Sequence, residues 1–392
     1  ARLCLLHDLL IGLAGRPHVA AIQTLAAEIW AMPAQVTLLA TGQRISAEGA
    51  AFANASLMNV RSQDDTHEPS VTHPGVPVIA AALAAAELRS ASGADLVTAI
   101  VAGYEITGRI GRRCGGALSA RGIRAAAALG IFGATAAAAR LLKLDDAQAA
   151  HALGLATQMA GGTSQVWVEG GAEFTTQLGM CARNGLTAAR LAAGGLTAAG
   201  HSFEGRSGFY RAMAGVELNA ESVLGGLGDD WALRDVTVKP SPVCAALQGP
   251  VTELARLVRT HGLSAADVES AVLALSPFEA TYPGIDNPGP IATPAAAKMS
   301  AQFCLALVLL HGRVTFDALS DCTASAPAAL ARRIKVVAEP ALRQRMCRIE
   351  LRLRDGSTLS GRVDTPVGRP ERGRPQGRRR PSCRPSAPPW PT

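Results

Sequence analysis

Asp64-Asp65-Thr66-His67-Glu68-Pro69-Ser70-Val71-Thr72-His73-Pro74-Gly75 gathers two adjacent carboxylates, hydroxyls and two imidazoles into one short polar segment. On either side lie Ala- and Leu-rich runs with helical spacing, Ser46 to Asn59 before it and Val76 to Leu88 after it. Pro74-Gly75 punctuates the join, because a proline pushes the residue before it out of helical geometry. His73 is therefore predicted at the mouth of a helix, beside unpaired backbone N–H groups and a partial positive charge. That position suits an anionic substrate handled by a residue that exchanges a proton near neutral pH. A plain polar loop, whose Asp and Thr cap the next helix, is the competing reading.

Working outward, helix follows helix from Arg2 to about Ala220. Ser92-Gly93-Ala94-Asp95 reads as a capping box opening a helix through Tyr104-Glu105 to Ile110. Gly103, Gly108 and Gly111 would weaken that helix singly, so close approach of a neighbouring helix is expected there. Asp145-Asp146 caps a helix running to about Met159, and Thr176 to Ala193 forms another. After Trp231 the period changes. Leu233 to Val238, Val268 to Leu275, Ile334 to Val337 and Cys347 to Leu353 alternate as strands, and Asp355-Gly356 turns the last into Thr358–Val363. Helices are expected between them at Cys244–His261 and Ala295–His311.

The fold class is thus mainly α with a second, smaller α+β domain: an all-helical domain over 1–235, the α+β domain over 236–364, and a Pro/Arg-rich segment over 365–392. The last carries eight prolines and seven arginines, cannot bury a core, and is expected to be disordered. Its abrupt composition resembles a shifted reading frame or truncated gene, a basic interaction tail being the alternative.

The net charge of +7 is almost all in that segment, where seven Arg and one Glu give +6; the folded body is close to neutral, against a nucleic-acid surface. Aromatic residues are only 4% of the chain, so the core must be built from Ala, Leu, Val and Ile with helices close together. Ala- and Gly-rich helices of this kind expose apolar faces, and a homodimer through the helical domain is expected. The eight cysteines, at 4, 114, 181, 244, 304, 322, 347 and 383, show neither C-x-x-C nor metal-ligand spacing, so no metal, zinc site or disulfide framework is indicated. No signal-like opening and no run of 18 apolar residues is present, and a cytoplasmic protein with no membrane partner is expected.

Asp64-Asp65-Thr66-His67 followed by His73-Pro74-Gly75 resembles the signature of the MmgE/PrpD family, which includes 2-methylcitrate dehydratases, cis-aconitate decarboxylases and an iminodisuccinate epimerase. Gly130-Ile131-Phe132-Gly133-Ala134, Ala182-Arg183-Asn184-Gly185-Leu186, Glu204-Gly205-Arg206-Ser207-Gly208-Phe209-Tyr210 and Lys239-Pro240-Ser241-Pro242-Val243-Cys244 agree in order and spacing. Tyr282-Pro283-Gly284 and Lys298-Met299-Ser300 with Phe303 extend the likeness to about Val363. The resemblance implies that the α+β domain closes as a lid over a cleft, that the protein is commonly dimeric, and that a helix ordinarily precedes the first residue here.

It also implies polycarboxylate substrates converted without a cofactor. Side chains must then neutralise carboxylates, take a proton next to a carboxyl-bearing carbon and supply one to a leaving group or carbanion. By resemblance His73 is the base or acid, and Thr66, with His67 beside it, binds a carboxylate. Asp64 and Asp65 orient His73 or His67, or cap the helix. Lys239, ending a predicted strand beside a Pro-Ser-Pro turn, can point into a cleft and pair with a carboxylate or pass a proton. Arg124, eight residues before Phe132, stands where family members carry histidine; it can clamp a carboxylate but not shuttle a proton. Other departures are Ser62 for an aspartate, Gln63 for an aromatic residue, Phe174 for a lysine and Ser241 for a tyrosine. Cys244 has apolar neighbours and no activating His or Asp, and is read as structural. The expected activity is a cofactor-free lyase, dehydratase or decarboxylase in type, on a small di- or tricarboxylate. An isomerase or epimerase, or a non-catalytic ligand-binding member, are the alternatives.

Overall fold

Ser46 accepts a hydrogen bond from the Gly49 N–H and so starts a helix whose small side chains are nearly all buried. Around it, in a computed structural model describing residues 1–365 and 367–369, the helical part is built. It comprises α1 (Arg2–Gly15), α2 (Ala20–Ile29), a hairpin of β1 (Val36–Thr37) and β2 (Arg44–Ile45), and α3 (Ala47–Asn59). The polar segment follows, containing β3 (Thr66–His67), then α4 (Gly75–Arg89), α5 (Gly93–Ala120), α6 (Ala125–Leu141) and α7 (Asp146–Ala156). The short α8 (Gln165–Glu169) precedes α9 (Phe174–Ala193), and α10 (Ala220–Leu224) closes this part. The expected all-helical domain thus carries two small two-residue ladders, β1–β2 and one involving β3.

Caps located the helices well. Ser92 accepts from the Asp95 N–H at 3.1 Å, and α5 runs ten residues past the expected Ile110. Asp145 and Gln148 form a capping box opening α7. Of the α5 glycines, Gly103 has the expected helix neighbours and Gly108 and Gly111 do not. A Cβ on Gly103 would meet Val78 and the Gly133 carbonyl at 2.6–2.7 Å, which is helix against helix. Gly108 and Gly111 instead admit His67 with Ala232, and Ser70, so the helix is thinned there to seat the polar segment.

The stretch from Leu233 to Val238 is not one strand: a 3-10 turn at Ala232–Asp235 precedes β4 (Val236–Thr237), which pairs antiparallel with β3. Beyond it come α11 (Gln248–His261), β5 (Val268–Leu275), α12 (Pro277–Ala280), α13 (Pro294–Met299) and α14 (Ala301–His311). The helix expected at Ala295–His311 is broken at Ser300, whose backbone is extended and whose Oγ accepts from the Phe303 N–H at 3.0 Å. Then follow α15 (Phe316–Ser320), α16 (Ser325–Ala331), β6 (Ile334–Ala338), β7 (Cys347–Leu353) and β8 (Thr358–Val363).

The sheet order is β6-β5-β7-β8, with only β5 and β6 parallel. In β7 the alternate residues Cys347, Ile349, Leu351 and Leu353 are buried. Trp167 and Phe174, from the helical part, pack into this second core, so the two parts share apolar contact. Of the segment expected to be a tail, Val367–Arg369 lies beside β4: the Val238 N–H donates to Gly368 O at 3.1 Å and Arg369 pairs with Asp235 at 3.0 Å. The rest of that expectation falls outside the described residues. No helix among the described residues is long and apolar enough to cross a membrane.

Candidate active site

The β3–β4 ladder aligns Thr66 with Thr237. Continuing that antiparallel register two residues sets Asp64 opposite Lys239, and their side chains meet: Lys239 Nζ donates to Asp64 Oδ1 at 3.2 Å and to Ser62 O at 3.1 Å. The backbone of Ser62 thereby holds the lysine, whatever its side chain. Asn59 Nδ2 donates to Asp64 Oδ2 at 3.3 Å. Pro74 and the start of α4 fix His73, whose Nδ1 lies 2.9 Å from Asp65 O, 3.3 Å from Asp64 Oδ2 and 3.3 Å from both Lys239 Nζ and Thr66 Oγ1.

The Lys239 ammonium can only donate, but the Asp65 carbonyl, the nearest neighbour at 2.9 Å, and the Asp64 carboxylate can only accept, and the shorter contact places the ring proton on Nδ1 and the lone pair on Nε2. Burial, reinforced by the Lys239 charge, lowers His73 to about 3, so the ring is neutral at physiological pH. Burial would raise Asp64, but Lys239 and His73 outweigh it and hold this carboxyl below its usual range. The cluster is a buried, ionised Asp–Lys pair with a neutral imidazole against it.

His73, Asp64, Thr66, Lys239 and Arg124 line one cavity of about 720 Å³, its open mouth included. It lies where the helical part meets the sheet part, which contributes Phe278, Glu279, Tyr282 and Arg345 among its wall residues. Arg124 Nη1 donates to Phe174 O at 2.7 Å and Gln177 Oε1 at 2.9 Å, and the guanidinium sits 4.8 Å over the Trp167 ring. Burial pushes the Tyr282 phenol up to about 12, so it keeps its proton.

Two expected site residues are elsewhere. The segment is extended from Asp64 to His67, and extended backbone sends successive side chains to opposite sides. Asp64 and Thr66 therefore face the cavity, while Asp65 and His67 face the helices. Asp65 accepts from Tyr104 OH at 2.5 Å and from the Gly75 N–H at 2.9 Å, and its own N–H donates to Asp8 Oδ1 at 3.3 Å. Burial raises Asp65 to about 6 and raises Asp8 as well. Asp65 is thus a brace at the start of α4, two residues from His73, and not a member of the cavity wall. His67 packs against α5 with Nδ1 2.7 Å from Ser70 Oγ, is lowered to about 4 by burial, and does not line the cavity. Alternation within the quoted segment was the signal that separates these pairs. Arg345 and Glu279 were missed entirely, and Tyr282 was read only as part of a motif. Among the described residues no three His, Cys, Asp or Glu are grouped to hold a metal ion.

The family model described as the MmgE/PrpD N-terminal domain matches residues 1–221, and that of the MmgE/PrpD C-terminal domain matches 241–379. The second match runs past residue 364 into the Pro/Arg-rich segment. The chain is similar to a cis-aconitate decarboxylase of Aspergillus terreus (strain NIH 2624 / FGSC A1156), 27% identical over 86% of this chain and 74% of the relative. It is similar to a cis-aconitate decarboxylase of Homo sapiens, 29% identical over 81% of this chain and 68% of the relative. A cis-aconitate decarboxylase-like protein of Aspergillus oryzae (strain ATCC 42149 / RIB 40) is 27% identical over 72% of this chain, which spans 62% of that relative's length.

Proposed function

The chain belongs to the MmgE/PrpD family, and from that premise we propose a cofactor-free lyase that removes water or carbon dioxide from a small di- or tricarboxylate held in the cleft. The observation that carries this reading is the His73–Asp64–Lys239 cluster opening on a cavity that also holds Arg124 and Arg345. Three cations on one cavity match a multiply charged anion. A neutral imidazole beside a buried ammonium supplies one proton acceptor and one donor.

In a dehydration, His73 Nε2 takes the proton from the carbon next to a carboxyl group. The electron pair forms the double bond, and the hydroxyl leaves as water with a proton from Lys239. In a decarboxylation, the bond to the leaving carboxyl breaks, carbon dioxide departs, and the electron pair spreads into a remaining carboxylate neutralised by Lys239 and Arg124. A proton from Lys239 or Tyr282 then ends on carbon. Asp64 positions both partners in either case. A substrate carboxylate arriving beside Lys239 offsets the charge that depresses His73 and so strengthens the base. The names of the relatives favour cis-aconitate as the first substrate to try.

Product analysis by NMR in D2O tests this. A lyase loses carbon dioxide or water from the substrate. An isomerase exchanges the carbon-bound proton for deuterium and loses no atoms, and a binding protein shifts resonances without chemistry. We further place the enzyme in the cytoplasm as a homodimer. Seven cysteines unpaired among the described residues support the first, and exposed Leu3, Leu6, Leu10 and Leu13 along one face of α1 support the second.

A further inference from the structure

Five described residues other than glycine have left-handed backbone: Ser62, Val71, Ser90, Lys143 and Arg345. Ser90 and Lys143 lie at the ends of α4 and α6, where chains commonly turn this way. Ser62, Val71 and Arg345 all line the cavity. Such strain persists only where surroundings enforce it, and it clusters at sites that must aim a group.

For Arg345 the enforcing group is Glu279. The Arg345 backbone N–H donates to the two Glu279 carboxylate oxygens at 3.0 and 3.1 Å, and Glu279 is itself held by Ser276 Oγ at 2.8 Å. The guanidinium, by contrast, is loosely engaged. Nη1 stands 3.7 Å from Glu279 Oε1 and Nε stands 4.0 Å from Glu68 Oε1, both beyond hydrogen-bond length. Nε is buried without a hydrogen-bond partner among the described residues. A strained backbone is therefore pinned tightly while the side chain it presents to the cavity keeps donors to spare.

We propose that Arg345 is the specificity-determining residue of the cleft, its guanidinium fork taking the substrate carboxylate remote from the His73–Lys239 cluster. This assignment rests on the carboxylate-site reading above and deepens it by naming the residue that takes the second carboxylate. Burial raises both Glu68 and Glu279, so each takes up a proton more readily than an exposed glutamate when a second anion arrives.

The test is an NMR titration of the full chain with butyrate and with glutarate, which is butyrate carrying one further carboxylate. Wild type should bind glutarate more tightly by about tenfold or more, the size expected of one charge-assisted pair. Arg345→Gln should erase that gain while leaving butyrate affinity within about twofold, and Arg345→Lys should restore part of it, since lysine keeps the charge without the fork. An undiminished gain in Arg345→Gln, or an equal loss for both ligands, overturns the Arg345 assignment and leaves the carboxylate site standing. Failure of wild type to bind either ligand overturns both. Melting curves report whether the variants fold; should Arg345→Gln not fold, an undiminished gain in Arg345→Lys is the overturning result and a reduced gain the supporting one.

Discussion

His73 lines the cavity with Nδ1 committed to Asp65 O at 2.9 Å, and Nε2 is its second nitrogen. Replacing it with asparagine keeps a donor near the first nitrogen and removes the lone pair of the second. Turnover should fall by about 10²- to 10⁴-fold, with the melting temperature nearly unchanged, in a kcat and melting comparison. Lys239→Met acts differently, because it strands Asp64 as an uncompensated buried charge. A loss of about 3–5 kcal/mol is expected in denaturant unfolding, and Asp64→Asn in the same chain should recover much of it. Behind the cavity, Asp8 and Asp65 are raised acids, so the native state keeps protons that the unfolded chain releases. The contribution of Asp65 is fully present below about pH 4 and is lost as pH rises through about 6, and that of Asp8 is lost as pH rises through its own raised range. Asp8→Asn should therefore melt higher than wild type at pH 7, with the difference vanishing near pH 4. His73, Thr66 and Lys239 were legible in the sequence because their neighbours spell a motif. Asp65 fills the capping alternative, accepting from the Gly75 N–H, whereas His67 was misplaced because a motif does not say which side of an extended chain each residue takes. Arg345 and Glu279 were invisible because one lies in the loop between β6 and β7 and the other on the short α12, and only the tertiary fold brings both to the cavity.

The elements that hold these groups depend on close approach. Gly75, first residue of α4, has no room for a side chain: a Cβ would collide with Asp8 Oδ2 and come within 2.5 Å of Tyr104 OH and 2.8 Å of Asp65 Oδ1. Gly75→Ala should cost about 1–3 kcal/mol in denaturant unfolding and, by moving the start of α4, lower turnover as well. A variant that loses neither stability nor turnover would show that the brace does not position His73. Helix starts were readable at the capping residues Ser46, Ser92 and Asp145, but not at Asn219, Ser276 or Thr315, whose side chains cap short helices. Breaks were not readable. Ser300 interrupts an apolar run that reads as one continuous helix, and the 3-10 turn at Ala232–Asp235 hides in a stretch that alternates like a strand. In both places tertiary contacts override local periodicity: Ser300 Oγ also donates to Asn287 O at 2.6 Å, and Glu105 Oε2 accepts from the Ala232 N–H at 2.8 Å.

At the scale of the whole molecule, the division into a helical part and a smaller sheet-bearing part was legible because the hydrophobic period changes near Trp231. The way the two parts share Trp167 and Phe174 was not, since nothing in a sequence assigns a helix residue to a distant core. The leucines along α1 are the largest regular apolar face left exposed among the described helices, and α2 adds Leu25 and Ile29. Sedimentation at micromolar concentration should give a dimer, and Leu6→Glu with Leu10→Glu should give a monomer; a wild-type monomer would refute the homodimer. The central claim, that the cavity around His73, Asp64 and Lys239 converts a polycarboxylate, is tested most directly by a timed ¹³C NMR assay. Cis-aconitate and a panel of hydroxy- and unsaturated polycarboxylates would be incubated with wild type and His73→Asn side by side. The expected result is loss of carbon dioxide or water from at least one substrate with wild type, and no more than about a hundredth of that rate with His73→Asn. No conversion of any member by wild type, or an equal rate with both proteins, would contradict it.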